Sequence, residues 1–412
     1  VHLIYDLIVR ISWGFLTLIA PFHNKIKLFI NGRKETFPNL KNNFTKDDQV
    51  IWMHVASLGE FEQGLPILKK IRKEYPSYKT LVTFFSPSGY EVKKNTADAD
   101  VVVYLPMDTI QNARKFVSLV NPKLVIFVKY EIWPNYLKEL KKRQIPTLLI
   151  SAIFRERQIY FKGYGNFMRS ALRVFDHFFV QDERSQELLK SIQITNVSVS
   201  GDTRLDRVSE ILDRDNTLLF MEKFKKDRLC FVAGSTWPED EAILIDYINN
   251  SPKNFKYVLA PHTLKTDKIL GLTGAISKKK VLYSKMDENT LGEYDVLIVD
   301  TIGLLTKIYS YADIAYVGGA FATGLHNTLE PAVFGVPVII GPQYKGFKEA
   351  EELVAQKGIL TVTDQWTFGE LLKKLLDDVE YRKKTGAINA KYIAKNKGAS
   401  IQIMSYIRNI LN

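Results

Sequence analysis

The sequence predicts an α/β protein made of two doubly wound domains that face each other across a cleft. Three observations carry that expectation. Apolar runs of strand length alternate with stretches of helical period from Ile51 onward, the pattern of a mostly parallel sheet covered by helices on both faces. The alternation lapses once, in the charged stretch near Asp202 to Lys226, and restarts at Leu229 to Ala233. Several of the apolar runs end in turns rich in Gly, Ser and Asp, where open α/β sheets hold their ligands.

At the amino terminus, His2 to Phe22 is apolar and aromatic, interrupted by Asp6 and Arg10 and followed by Lys25, Lys27, Arg33 and Lys34. A full membrane span needs about 20 mostly apolar residues, so this stretch reads either as a membrane anchor or interfacial helix, or as a helix packed on the protein's own core. It has no small-residue cleavage site. Strands of the first domain are expected at Ile51 onward, Thr80 to Phe85, Val101 to Tyr104, Leu124 to Val128, Thr147 to Ser151 and His177 to Gln181, with helices such as Asn112 to Val120 and Asn135 to Arg143 between them. The second domain repeats the plan with strands near Tyr257 to Ala260, Val296 to Val299, Ile314 to Val317 and Val336 to Ile340. The last stretch, Tyr381 to Leu411, has a helical period and could cross back onto the first domain. The expected division is 1–35 for the amino-terminal helix, 36–215 and 225–385 for the two domains, and 386–412 for the carboxyl-terminal helix.

The 57 Lys and Arg against 45 Asp and Glu leave a net charge of +12, which favours anionic partners. The basic residues are spread along the chain and no zinc finger or RNA-binding aromatic signature is present, so nucleic acid is not expected as a partner. The single cysteine, Cys230, excludes an internal disulfide and sits in an apolar run as a buried strand thiol. No Cys/His cluster has metal-ligand spacing, and no metal is expected.

The stretch Ile51 to Gly64 reads as a strand, a tight turn at Ser57-Leu58-Gly59-Glu60 and a helix start. With Gly59 free to take backbone angles closed to other residues, Glu60 would be presented at a strand end as a candidate general base; the alternative is an acidic residue that merely favours the first helical turn. Ser86-Pro87-Ser88-Gly89 opens a helix where hydroxyls and free amides suit an anion. Glu131, in Glu131-Ile132-Trp133-Pro134-Asn135, also follows a strand, with helix capping as its other reading. Arg204, in Gly201-Asp202-Thr203-Arg204, could fork onto a phosphate or lie solvated on the surface. In the second domain Gly234-Ser235-Thr236, Ala260-Pro261-His262, Asp300-Thr301-Ile302-Gly303-Leu304 and Gly324-Leu325-His326-Asn327-Thr328-Leu329-Glu330 form a plausible nucleotide pocket, with Asn327 at a helix start and Glu330 able to accept from ribose hydroxyls.

In their order along nearly the whole chain, Ser57-Leu58-Gly59-Glu60, Ser86-Pro87-Ser88-Gly89, Glu131-Ile132-Trp133-Pro134-Asn135, Gly234-Ser235-Thr236 and His326-Asn327-Thr328-Leu329-Glu330 resemble the 3-deoxy-D-manno-octulosonic acid (Kdo) transferases of lipopolysaccharide synthesis. The resemblance implies a GT-B fold, with an acceptor-binding first domain and a CMP-sugar-binding second one. It also implies an amino terminus at the cytoplasmic side of the inner membrane, and transfer of Kdo with inversion from CMP-Kdo to a lipid A precursor, lipid IVA. By the same resemblance Glu60 is the proton acceptor, and Glu131 and Arg204 stabilise the transition state. The CMP contacts fall on Pro261 and His262, on Ile302, Gly303 and Leu304, and on Asn327, Thr328, Leu329 and Glu330. CMP-Kdo would be the donor substrate, with no cofactor, and the basic surface would meet a phosphorylated glycolipid and an anionic membrane.

The chain departs from the family pattern at several places. His262 stands where the family has arginine, Leu304 where it has glutamate, and Arg204 where it has lysine; after Gly341-Pro342, Gln343 to Phe347 replace an Asn-Phe pair. Two other functions fit part of the sequence. A sugar-nucleotide epimerase would share the two-domain plan without calling for a hydrophobic amino terminus, and a non-enzymatic membrane-bound glycolipid-binding protein would ignore CMP.

Overall fold

A computed structural model of the chain describes residues 1–251, 255–322 and 324–412. It comprises two compact units, Val1–Asp206 with Lys397–Asn412, and Arg207–Asn396. The chain thus changes unit inside the helix Thr203–Ser209 and again at Lys397, rather than near 215 and 386. The second change follows from backbone geometry. The long helical stretch breaks between Val379–Asn396 and Ala399–Leu411 at Gly398, whose φ of +117° only glycine adopts readily.

The first unit holds β1 (Val50–Val55), β2 (Lys79–Phe84), β3 (Val101–Tyr104), β4 (Pro122–Val128), β5 (Thr147–Ala152), β6 (His177–Val180) and β7 (Val197–Val199). They form one seven-stranded sheet in the order β3-β2-β1-β4-β5-β6-β7, parallel throughout. All six residues of β1 are buried, as a strand covered on both faces must be. Trp52 points into one core with Phe116, Phe127 and Tyr136, while Met53 points into the other with Phe61, Leu65 and Leu68. The helix Ala399–Leu411 completes that second core with Ile403, Met404 and Ile407, and Arg408 forks onto Glu74 with both contacts at 2.8 Å.

Three helices precede the sheet: α1 (His2–Ile19), α2 (Asn24–Lys34) and α3 (Thr36–Asn43). The expected single helix over 1–35 is broken by the turn Ala20–Phe22, where Pro21 cannot donate to the ladder. α2 and α3 are tied to the unit: Arg33 donates to the carbonyls of Leu105 (2.9 Å) and Phe85 (2.8 Å), and the Thr36 hydroxyl to that of Tyr104 (2.9 Å). α1 is attached along one side, by hydrogen bonds and by ring contacts of His2 and Tyr5 with Phe167 and of Trp13 with Phe29. Tyr5 Oη donates to Asp108 (2.9 Å) and Asp6 accepts from the Ile110 amide (2.6 Å), while Leu3, Ile4, Leu7, Ile8, Ile11, Phe15 and Leu18 are exposed.

The second unit repeats the architecture with β8 (Leu229–Thr236), β9 (Phe255–Pro261), β10 (Lys280–Leu282), β11 (Val296–Ile298), β12 (Ile314–Val317), β13 (Val338–Ile340) and β14 (Ile359–Thr361). The order is β10-β11-β9-β8-β12-β13-β14, again parallel. The strand order reverses between β1 and β4 in the first sheet and, at the sheet's centre, between β8 and β12 in the second. Open α/β sheets bind ligands at such reversals, beyond the strands' carboxyl ends.

Candidate functional site

The first reversal carries the two glutamates. β1 runs through Ser57 into α4 (Leu58–Glu74), which puts Glu60 in the first helical turn, 6% exposed. Ser57 caps no backbone amide; its Oγ donates to Glu60 Oε2. Gly59 differs from expectation: its φ is not positive, because extended Ser57 makes the turn and Gly59 is already helical. Its role is spatial instead. A Cβ at Gly59 would meet only Ser57 Oγ, at 3.8 Å, so the helix start is open above it. Gly89, in α5 (Pro87–Lys93), is the constrained one: a Cβ there would lie 2.8 Å from the Leu58 amide nitrogen, so glycine lets the two helix starts touch. The expected anion-binding hydroxyls of Ser86 and Ser88 bond each other at 2.9 Å.

Glu131 follows β4 by way of Lys129, whose φ is +71°, and is 9% exposed. The Trp133 indole donates toward Glu131 Oε2 (3.2 Å) and His54 Nε2 (3.0 Å). Asn135 and Tyr136, at the start of α7 (Pro134–Lys142), are fixed by Asp108, which accepts from both of their backbone amides at 3.1 and 3.0 Å. Burial pushes the Asp108 carboxyl up to about 6 against the pull of those donors. Tyr130 stands close to both glutamates. Its phenol is raised by burial first and then by the charges of Glu60 and Glu131.

Arg204 is neither solvated nor free. Its Nε and Nη2 donate to Asp202 Oδ2 at 2.9 and 2.7 Å, and its side chain is 31% exposed. Burial would raise the Asp202 carboxyl, but the Arg204 charge and its hydrogen bonds outweigh that and hold it below the usual carboxylate range. Gln63, one turn after Glu60, donates to the same Asp202 at 3.3 to 3.4 Å. The three catalytic candidates therefore sit on segments that are tied together.

At the second reversal the polar groups gather around Asp240, in the helix Pro238–Asn250. It is fully buried and accepts from Tyr316 Oη (2.6 Å), the Gly319 amide (2.9 Å) and the Trp237 amide (2.9 Å). Gly318 permits this, since a Cβ would lie 2.4 Å from the Ser235 carbonyl. Pro261 ends β9, and the His262 amide donates to the Thr236 carbonyl (2.9 Å). The His262 ring stacks on Trp237 (4.6 Å) and on His326 (4.5 Å), and the Trp237 indole donates to His326 Nε2 (2.9 Å). Burial lowers both imidazoles, so the cluster is a neutral aromatic surface where the family pattern has a guanidinium.

Ile302, Gly303 and Leu304 form the turn after β11; Gly303 has a φ of +90° and Ile302 is 85% exposed. Glu330 lies in a helix of only four residues, Leu329–Ala332, whose Leu329 amide is taken by Asn327 Oδ1 (3.1 Å). The open amides expected at that helix start are thus fewer than the sequence suggests. Both Glu330 oxygens are occupied, by Asn327 Nδ2 (3.1 Å) and by Thr306 Oγ1 (2.7 Å). The Thr328 hydroxyl is buried and has no partner among the described residues. Arg207 also lies near: burial lowers its guanidinium and the Glu330 charge acts against that. Sequence reasoning missed His54, Asp108, Trp237, Asp240, Thr306 and Arg207. Of these only His54 and Trp237, each beside a quoted string, had a local signal. Among the described residues no group of three or more His, Cys, Asp or Glu side chains could hold a metal ion.

Two parallel α/β units with polar sites at both strand-order reversals define a GT-B type protein, and solved structures agree on that fold. UDP-GlcNAc 2-epimerase from Neisseria meningitidis bound to UDP-GlcNAc superposes with a TM-score of 0.60 at 15% identity, covering 87% of this chain and all of that one. The wall teichoic acid polymerase TagF gives 0.51 at 13% identity over 97% of this chain and 98% of its own. At these identities the likeness concerns the fold alone. Sequence narrows the class. A profile of the 3-Deoxy-D-manno-octulosonic-acid transferase (kdotransferase) family matches residues 31–207. The 3-deoxy-D-manno-octulosonic acid transferase of Chlamydophila psittaci is 30% identical over 376 residues, 86% of this chain and 85% of that protein. That of Haemophilus influenzae is 28% identical, covering 88% and 87%. The chain belongs to this family and is a glycosyltransferase.

Proposed function

We propose that this glycosyltransferase moves Kdo from CMP-Kdo to a phosphorylated lipid A precursor, lipid IVA, with inversion, at the cytoplasmic side of the inner membrane. The observation that carries the reading is Glu60: a nearly buried carboxylate at a strand-order reversal, held by Ser57, with open space over Gly59. An acceptor hydroxyl gives its proton to Glu60 as its oxygen bonds to the anomeric carbon of Kdo. The bond from that carbon to the phosphate oxygen breaks, and CMP leaves with the electron pair. Arg204, held by Asp202, meets the growing phosphate charge, and Glu131 steadies the reacting sugar. In the second unit Pro261, His262, Ile302 to Leu304 and Asn327 to Glu330 take CMP. There the neutral stack of Trp237, His262 and His326 supplies a flat face instead of a charge.

α1 supports the membrane assignment. A helix bound through Tyr5 and Asp6, with its apolar side chains turned outward, suits the plane of a lipid interface. Beside it a groove of about 600 Å³ is lined by Arg10, Arg114, Lys115 and Arg143, cations suited to lipid phosphates.

Incubating the full chain with CMP-Kdo and tetraacyl lipid A should add the mass of one or more Kdo groups to the acceptor. An unmodified acceptor together with isomerisation of UDP-N-acetylglucosamine would replace this reading by an epimerase. Lipid A affinity without any thermal shift on adding CMP would replace it by a binding protein.

A further inference from the structure

His54 is fully buried on β1, beneath Glu131, and no step of the transfer described above uses it. Its Nδ1 lies 2.8 Å from Thr83 Oγ1; its Nε2 lies 3.0 Å from Trp133 Nε1 and 3.5 Å from Glu131 Oε2. The Trp52 indole donates to the same Thr83 oxygen at 2.8 Å. The ring is wedged edge-on against Phe127 and Trp133, with centroids 5.6 and 6.0 Å away. Its orientation is therefore fixed, and only its protons can be rearranged.

An indole nitrogen donates and never accepts, whereas a neutral imidazole carries one donor and one acceptor. Two arrangements of these protons can be drawn. In one, His54 Nδ1–H donates to Thr83, so bare Nε2 takes the Trp133 proton and Glu131 receives only a share of it. In the other, the Thr83 hydroxyl donates to Nδ1 and Nε2 carries the proton. That would set two N–H groups against each other 3.0 Å apart, so the distances select the first arrangement. The indole held by His54 also donates toward Glu131 Oε2 at 3.2 Å, which favours the ionised carboxylate and fixes its rotamer.

We infer that His54 is a positioning residue for the transfer: its bare Nε2 holds the Trp133 indole, which in turn holds the ionised Glu131 carboxylate in its working orientation. This rests on the role proposed for Glu131. It assigns Thr83 the choice of tautomer, and it explains why a polar ring occupies a strand whose other residues are apolar.

The test uses the full chain with CMP-Kdo and a lipid A acceptor. Glutamine can place its amide oxygen near the position of Nε2, where the Trp133 proton is accepted, and asparagine is one carbon too short to do so. His54→Asn should lower kcat by about 10- to 100-fold, the usual cost of removing an orienting partner, with the KM for CMP-Kdo unchanged. His54→Gln should recover most of that loss. In a Glu131→Gln background, His54→Asn should change kcat less than about twofold. Equal losses in the two His54 variants, wild-type kcat in His54→Asn, or an undiminished effect in the Glu131→Gln background would each overturn the inference. A measurement that does not depend on variant folding is the 15N spectrum of the histidine-labelled wild-type chain. The His54 ring should be protonated on Nδ1 with Nε2 bare, and a protonated Nε2 would overturn the inference equally. Wild-type turnover in Glu131→Gln alone would instead remove the role of Glu131, whatever His54 does, so the two failures are distinguishable.

Discussion

The two units share a strand plan but furnish their strand ends differently. In the first, buried acids line the reversal: Glu60, Glu131, Asp108 and Asp202 are each 9% exposed or less, and each is held by named donors. In the second, Asp240, the one fully buried acid among the described residues, is turned inward to fasten two strand ends, and the surface next to it is a neutral stack of Trp237, His262 and His326. Buried carboxylates are costly to keep, and the first unit keeps several, which suits the proton transfer proposed for Glu60. The second presents flat rings and occupied hydrogen-bonding groups, which suits gripping a nucleotide without reacting with it.

Substitutions at matched places would break or sharpen this contrast. Glu60→Gln should lower transfer by about 10²- to 10⁴-fold, the range for losing a general base, while calorimetry with CMP gives wild-type affinity; near-normal turnover would erase the division of labour. Asp240→Ala leaves the Tyr316 hydroxyl and two backbone amides without their acceptor, so the second unit should lose roughly 3 kcal/mol or more in chemical denaturation. CMP affinity should fall with it, and an unchanged midpoint would mean Asp240 fastens nothing.

Asp108 provides a pH signature in the first unit. A carboxyl raised to about 6 in the folded chain binds its proton more tightly there than when unfolded. That contribution is complete below the unfolded value near 4 and disappears as pH climbs through 6. The stability of the wild type relative to Asp108→Asn should therefore fall by up to roughly 3 kcal/mol between about pH 4 and pH 7, and a flat difference would show that the carboxyl titrates normally. The smallest effect is expected at Glu330→Ala, which should weaken CMP binding about tenfold, the loss of one charge-assisted hydrogen bond. Unchanged affinity by calorimetry would leave Glu330 as a clasp between Asn327 and Thr306 only.

Much of the fold could be read from local pattern. β3 and β12 match the apolar runs Val101 to Tyr104 and Ile314 to Val317 residue for residue, because an aspartate precedes each run and a Pro or Gly turn follows it closely. β7, β10 and β14 escaped notice: each has three residues and lies at a sheet edge or near one, too short for periodicity to register. The site divides the same way. Glu60 was legible because Ser57 and Gly59 stand beside it in sequence. Asp240 was not, since the Tyr316 that explains it is 76 residues away, and only the folded sheet brings β8 and β12 together. The pairing of Arg204 with Asp202 spans two positions, yet no spacing rule tells a forked ion pair from a free cation.

The return of the last helix has a consequence for biosynthesis. Ile403, Met404 and Ile407 fill a core whose other walls come from residues more than two hundred positions earlier. A nascent chain therefore cannot seal that core until the entire intervening unit has left the ribosome. The unit bearing the buried acids is completed last, and a chain ending between Asn396 and Ala399 would carry the whole second unit but a first unit whose core lacks Ile403, Met404 and Ile407.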